Sequence, residues 1–450
     1  MGTTDQQSPH RAAPSVGRIR WLVIVWLFVI SAVSYLDRNN LSIAGGMLKD
    51  DFGLSDVELG AVFSAFVFGY AFSQPLAGWI ADALGAYRTI AIAILWWSVF
   101  TALTPLVPSG APHALLMLLA VRLLLGVGEA VIYPAGNRVV ASWMPSSERG
   151  FANGLIFAGV GIGGGIAPPL VTYLMLTFGW HSAFYASAAI GLVVGAAWLI
   201  IGRNEPAEHK WVSDAERGHI AAGLPPSSIS QATTNWRAVI ADRQVILLTA
   251  SYFCFGYVAY IFFSWFFIYL STVRGLDLTS SAILAMLPFI AMTVFSTLGG
   301  IASDRLERRF GARVGRCYVA AGGLIVASAF VAAATLVQSA TLASLTLAGG
   351  AGALYVAQSA YWTLSANIGG TSAGKVSGVM NMGAQIGGVV TASGTAIIAS
   401  SYGWTVSFLA AAMVCLIGGL LWLLIDPNHA LPTTGHRADI SGPAAAIEGA

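Results

Sequence analysis

Apolar residues along this chain fall in long unbroken blocks, without the alternating or every-third-residue pattern of a water-soluble domain. Twelve blocks reach about 20 residues, the length that carries an α-helix across the hydrocarbon core of a bilayer. They run 20–44, 57–81, 88–107, 113–137, 150–177, 180–201, 245–272, 279–303, 316–336, 340–366, 374–400 and 403–425. Short turns separate most of them. One long polar stretch, 202–244, divides the set six and six. It holds Pro225, Pro226 and the capping-box pattern Ser213-Asp214-Ala215-Glu216 before a short amphipathic run. A polar segment, 1–19, precedes the first block and a tail, 426–450, follows the last. The pattern predicts an all-α membrane protein: twelve transmembrane helices in two six-helix bundles, 20–201 and 245–425, joined by a linker.

Composition agrees and excludes other classes. Charged residues make up 9% of the chain and hydrophobic ones 56%, against about 25% charged in a soluble domain. So few charges cannot cover a 450-residue globule in water, which argues against a soluble enzyme, a disordered protein or a nucleic-acid binder. Cys254, Cys317 and Cys415 lie in or beside apolar blocks, as buried thiols, with no disulfide framework and no zinc spacing. The first block is followed by many others and reads as a retained span, not a cleaved signal. Basic residues set the orientation. Lys49 and Arg274 fall on one side, and Arg38 and Arg122 inside spans. The rest, from Arg11, Arg18 and Arg20 through Arg305 to Arg437, fall on the other side. Both termini are expected to be cytoplasmic in a multi-pass protein of the cell (inner) membrane.

The halves resemble each other at an offset of 222–224 residues. Gly78-Trp79-Ile80-Ala81-Asp82 matches Gly300-Ile301-Ala302-Ser303-Asp304. Gly150, Gly154, Gly159, Gly163 and Gly164 match Gly374, Gly378, Gly383, Gly387 and Gly388, and Gly179-Trp180 matches Gly403-Trp404. Parallel six-helix repeats with a site between them are one design of secondary transporters. On these residues the chain resembles the major facilitator superfamily along nearly its whole length. Gly78–Asp82 with Gly85 and Arg88 is similar to that family's loop between helices 2 and 3, with Ala83 where a basic residue is usual. Tyr35-Leu36-Asp37-Arg38-Asn39-Asn40-Leu41 and Arg122-Leu123-Leu124-Leu125-Gly126-Val127-Gly128-Glu129-Ala130 resemble motifs of its anion:cation symporters, carriers of organic anions and sugar acids.

Two patterns invite a nucleotide reading and lack its context. Gly159-x-Gly161-x-x-Gly164 lies inside an apolar span with no preceding strand, where small residues four apart serve helix packing. Gly369 to Lys375 is nearly a phosphate loop, but Val376 replaces the required Ser or Thr. No metal-binding or nucleophile motif stands out, and no cofactor is expected.

Ionisable side chains inside a span cost about 2.5–3.5 kcal/mol each on insertion scales, so they mark function by default. Four qualify: Asp37 and Arg38 on helix 1, Arg122 and Glu129 on helix 4. Arg122 and Glu129, seven apart, share a helix face. Asp37 and Arg38, adjacent, point about 100° apart. The bland alternative is two buried ion pairs bridging helices 1 and 4. The functional reading is coupling: an anion competes with a carboxylate for an arginine, and the released carboxylate takes a proton. The resemblance implies roles. Arg38 would bind the substrate carboxylate, Asp37 and Glu129 would carry protons, and Arg122 would pair with Glu129. Tyr35, Tyr70 and Gln74, with Tyr257, Tyr260, Gln358, Tyr361, Trp362, Asn381 and Gln385 from the second half, are candidate substrate contacts. Asp82, through Arg138 or Arg149, and in the second copy Asp304 and Arg305 are candidate gating residues. Helix 5, at Phe157–Gly161, has no amide where sugar-acid carriers often have one, which leaves room for aromatic or small dicarboxylic acids. The expected function is proton-coupled symport of an organic anion by a monomer, its partners a small carboxylate, protons and the bilayer. An exporter, a membrane sensor on a carrier fold and a membrane-embedded enzyme are the rivals.

Overall fold

The computed structural model describes residues 17–145, 148–223, 236–369 and 373–431, apart from the side chains at 75, 78, 79, 82, 149, 150, 373 and 374. Among these residues all regular structure is helical, and twelve helices are long and apolar enough to cross a membrane. They are α1 (Ile19–Phe52), α2 (Asp56–Leu84), α3 (Ala86–Leu106), α4 (Ala114–Trp143), α5 (Arg149–Phe178) and α6 (Trp180–Ile201), then α7 (Arg243–Ser264), α8 (Leu278–Phe310), α9 (Arg313–Ala334), α10 (Ala340–Gly369), α11 (Ala373–Tyr402) and α12 (Trp404–Trp422). Each corresponds to one apolar block. Large apolar side chains such as Phe72, Ile92, Leu95, Leu176, Ile200 and Met413 point outward and are exposed. That surface suits lipid rather than water.

The glycines of the repeat serve packing. A methyl group at Gly159 of α5 would come within 2.7 Å of the Phe28 carbonyl oxygen of α1, and one at Gly163 would collide with that of Ala32. In the second half Gly383 of α11 stands equally close to Thr249 of α7, and Gly387 to Phe253. Both halves thus press the same pair of helices together backbone to backbone, as small residues four apart permit. The turns repeat too. Gly179 (φ 83°) joins α5 to α6 and Gly403 (φ 86°) joins α11 to α12, both in a left-handed conformation that favours glycine.

Two spans are interrupted near their middles. In α4 the helix stops at Glu129 and restarts at Ile132. Pro134 has no N–H to offer the carbonyl of Ala130, so the ladder breaks just after Glu129. In α10 the break falls at Ala357, just before Gln358.

Among the described residues, the start of α1, the linker helix near residue 216 and the segment after α12 lie on one face, called here the linker face. There the short helix Asp214–Ala222 docks on the first half. The Ser213 hydroxyl accepts from the Glu216 N–H (3.2 Å), which is half of the expected capping box. Glu216 does not complete it. Its carboxylate, fully buried, accepts from the backbone N–H groups of Ile19 (3.3 Å) and Arg20 (3.1 Å) and from the Arg20 guanidinium (3.3 Å). The start of α1 has no side-chain cap of its own, so the linker supplies one. Arg20 also binds Glu148, just before α5, at 2.9 and 3.2 Å, and His219 of the linker helix lies 3.3 Å from the same carboxylate. The hydrogen bond from Arg20 holds Glu148 below the ordinary glutamate range.

Candidate functional site

Ser34 and Arg38, four apart on α1, present one face to α4. Both donate to Glu129 Oε2, Ser34 from Oγ at 3.1 Å and Arg38 from Nη2 at 3.2 Å. The break in α4 ends its first segment on Glu129, which is fully buried. Arg38 is boxed by rings. Its guanidinium carbon lies 4.5 Å from the Tyr35 centroid, 4.6 Å from Tyr70 and 5.0 Å from Phe66. Phe66 and Tyr70 are four apart on α2 and stack on each other. Arg38 Nη1 also donates to the Tyr35 hydroxyl (3.4 Å).

Arg122 does not make the expected pair with Glu129. Among the described residues no carboxylate lies within ion-pairing distance of it, and its guanidinium rests 4.9 Å from the Phe66 ring. It remains near enough to Asp37 and Glu129 to interact with both electrostatically. The reason lies in the packing. Gly126, between Arg122 and Glu129, lets α4 press on the backbone of α2 at Phe66, and Gly128 receives the Trp96 ring of α3. The neighbour across the interface, Arg38, reaches Glu129 first.

Asp37 faces inward, into the first half. It accepts from the hydroxyl of Thr101 on α3 and from Asn40 Nδ2 (3.2 Å), which also donates to Ser187 on α6 (2.7 Å). Asp37 is 2% exposed. The four charges form a neutral cluster, and three of its atoms, Arg38 Nε, Arg122 Nε and Glu129 Oε1, are buried with no hydrogen-bond partner among the described residues. Buried polar atoms are seldom left so.

The second half contributes aromatic and amide groups. Tyr260 and Tyr355 come near enough to Arg38 to interact electrostatically, and Phe263 packs 5.6 Å from Tyr35. Tyr260 donates to Gln385 Oε1 (2.6 Å), Gln358 Nε2 donates to the Tyr252 hydroxyl (3.1 Å), and Asn381 Nδ2 donates to Gln74 Oε1 across the halves (2.9 Å). Trp362 lies 5.7 Å from Phe157 of α5, which stacks flat on Tyr133 of α4 (5.0 Å, 5°).

Two expected contacts are buried within the second half. Tyr361 is fully buried inside the second half, its hydroxyl 2.6 Å from Ser251 and its ring against Trp422 and Tyr252. Tyr257 is buried against α11, where Thr391 donates to its carbonyl oxygen (2.6 Å). Of the expected gating residues, Asp304 pairs within its own half, with Arg316 of α9 (2.8 Å), which also binds Glu307 and the Ser303 hydroxyl. Arg305 and Arg138 are exposed. The side chains of Asp82 and Arg149 lie outside the described residues. Ser34, Phe66, Thr101, Tyr133, Phe157, Tyr252 and Tyr355 escaped the sequence reading. They are ordinary residues in apolar spans, and only Ser34, one turn before Arg38, carried a usable signal.

The model of the Major Facilitator Superfamily matches this sequence over residues 27–391 and again over 309–448. The chain belongs to the Major Facilitator Superfamily. It is therefore a transporter and not an enzyme. Superfamily relatives include the Probable sulfoacetate transporter of Cupriavidus necator, 32% identical over 94% of this chain and 97% of that one. The Probable galactarate/D-glucarate transporter of Bacillus subtilis is 35% identical over 65% of this chain and 66% of its own. The D-galactonate transporter of Escherichia coli is 28% identical over 92% and 97%. A bacterial homolog of the human lysosomal transporter Spinster, solved inward-facing and unoccupied, superposes with a TM-score of 0.74 at 20% identity, covering 92% of this chain and 97% of that one. That likeness supports the twelve-helix superfamily fold.

Proposed function

We propose that the protein carries a small organic anion, a carboxylate, together with protons by alternating access. The observation that carries this is the Arg38–Glu129 pair, buried where the two halves meet and left with unpartnered polar atoms on both members. Structure alone gives such a pair little reason to exist, because buried ion pairs seldom improve on apolar packing. An anion that takes Arg38 frees Glu129 to accept a proton, and proton and anion then favour each other's binding, as linkage requires. Asp37, two side chains deep in the first half, is the second protonation site, with Arg122 between the two acids as their shared counter-charge. The relatives' names, all of anion carriers, support the substrate class.

The distribution of basic residues supports a multi-pass protein of the cell membrane with the linker face cytoplasmic. We take the monomer as the working unit.

Purified protein in vesicles with an imposed pH gradient tests the reading. Uptake of a labelled organic anion should depend on the gradient, and Asp37→Asn or Glu129→Gln should abolish accumulation. Normal gradient-driven uptake by both variants would overturn the proton assignment.

A further inference from the structure

We propose that the substrate is a monoanion with a flat, unsaturated or aromatic body, rather than a polyhydroxylated chain or a dianion. This rests on the reading above of Arg38 as the anion anchor.

The charge argument comes first. Arg38 offers one anchoring edge. The rings of Tyr35, Tyr70 and Phe66 crowd its guanidinium carbon at 4.5, 4.6 and 5.0 Å, Nη2 is held by Glu129 and Nη1 by Tyr35, and Nε has no partner among the described residues. One oxyanion can reach that edge by displacing Glu129. The other mid-span cation, Arg122, belongs to the same half as Arg38 and is shared electrostatically by Asp37 and Glu129, so a second anionic end would need a cation from the second half. The basic residues of α7 to α12 lie at the helix ends: Arg243, Arg305, Arg308, Arg309, Arg313, Arg316 and Lys375. Among the described residues none sits mid-span.

The body of the substrate meets rings. Ser31, one turn before Tyr35 and two before Arg38 on the same face of α1, hydrogen-bonds the Tyr133 hydroxyl (2.9 Å), which sets Tyr133 beside the aromatic box around Arg38. Phe157 stacks flat on Tyr133, and Trp362 closes on Phe157 from the second half at 5.7 Å and 45°. These spacings fall in the range where rings pack favourably with other rings. The groups able to greet hydroxyls are meanwhile engaged with one another: Asn381 with Gln74, Gln385 with Tyr260, Gln358 with Tyr252. A sugar acid would have to break these bonds to satisfy its hydroxyls, whereas a planar apolar body leaves them intact. Discrimination of this kind is large when polar groups would be left unpaired.

The test is isothermal titration calorimetry of the purified full-length protein with benzoate, gluconate, glucarate and sulfoacetate. Benzoate should bind at least tenfold more tightly than each of the other three. Phe157→Leu combined with Trp362→Leu should erase that preference, and Trp362→Phe, which keeps a ring, should retain it. Tighter binding of gluconate, glucarate or sulfoacetate, lost in Arg38→Ala, would overturn this specificity and leave the anion-carrier reading standing. Binding of none of the four by folded protein would overturn both. Benzoate binding that survives Arg38→Ala would overturn the anchor on which the inference rests. Failure of proton coupling shows separately, as binding without gradient-driven uptake.

Discussion

At the scale of single residues the site is decided by Arg38. Its guanidinium is planar, and the rings of Tyr35 and Tyr70 lie 4.5 and 4.6 Å from it. A lysine keeps the charge but neither stacks in that slot nor forks toward two oxygens. Arg38→Lys should therefore weaken anion binding by about a hundredfold, measured by calorimetry, with the melting temperature of the unliganded protein close to that of the parent. Which residues carry charge inside the spans was legible in the sequence, and so was the divergence of Asp37 from Arg38. Their partners were not. Periodicity reports which residues share a face of one helix. It does not report how that helix is turned toward its neighbours. Arg122 and Glu129 do share a face, yet the shorter reach to Glu129 is from Arg38 on another helix. Tyr361 failed for the same reason: it sits one position from Trp362, and that one step turns it into the interior of its own half.

At the scale of elements the twelve spans and the packing role of the glycines could be read in advance, and most boundaries to within three residues, while the far ends of α1, α4, α7 and α8 differ by six to eight. Apolar length and small-residue spacing are local properties, so the sequence exposes them. The linker helix was also visible, but its destination was not. Its capping-box glutamate turns away to α1, a choice made by a helix end 197 residues distant. Removing that carboxylate with Glu216→Ala takes away a helix cap, worth about 1 kcal/mol, and one of the two carboxylates on Arg20, leaving Glu148 at 2.9 Å. A clear drop in melting temperature in detergent is the expected result. Acid should loosen the same junction. Glu148 is held below its ordinary value by Arg20, so its contribution is present above the unfolded glutamate value and is lost as pH falls through the lower folded one. Hydrogen exchange should show residues 214–222 gaining amide exposure below about pH 4, where glutamates become protonated, while exchange in the spans stays slow.

At the scale of the whole molecule the halves meet on both sides of Arg38 in different ways. Toward the face opposite the linker, contact runs through backbone. The Ser64 hydroxyl donates to the Val389 carbonyl (2.9 Å) and lies 2.8 Å from the Ser393 hydroxyl. A methyl group at Gly60 would come within 2.7 Å of the Ala392 carbonyl oxygen. Toward the linker face, contact runs through side chains: the Asn381–Gln74 hydrogen bond and the Phe157–Trp362 ring pair. The two closures therefore differ in kind. A disulfide across the first should hold that side shut. Ser64→Cys with Ser393→Cys, once oxidised, should stop transport in vesicles and recover on reduction, since the three native cysteines are buried.

The cap that Glu216 lends to α1 also bears on how the protein is made. Helix α1 begins with N–H groups at Ile19 and Arg20 whose acceptor is synthesised nearly two hundred residues later. Until α6 has turned and the linker has emerged, α1 has an unfinished end. A chain halted anywhere before residue 216 holds six apolar spans or fewer and no cap. The carboxylate that finishes α1 becomes available only when the first half is complete and before α7 exists, so in order of synthesis it marks the point at which one bundle is done and the next can start.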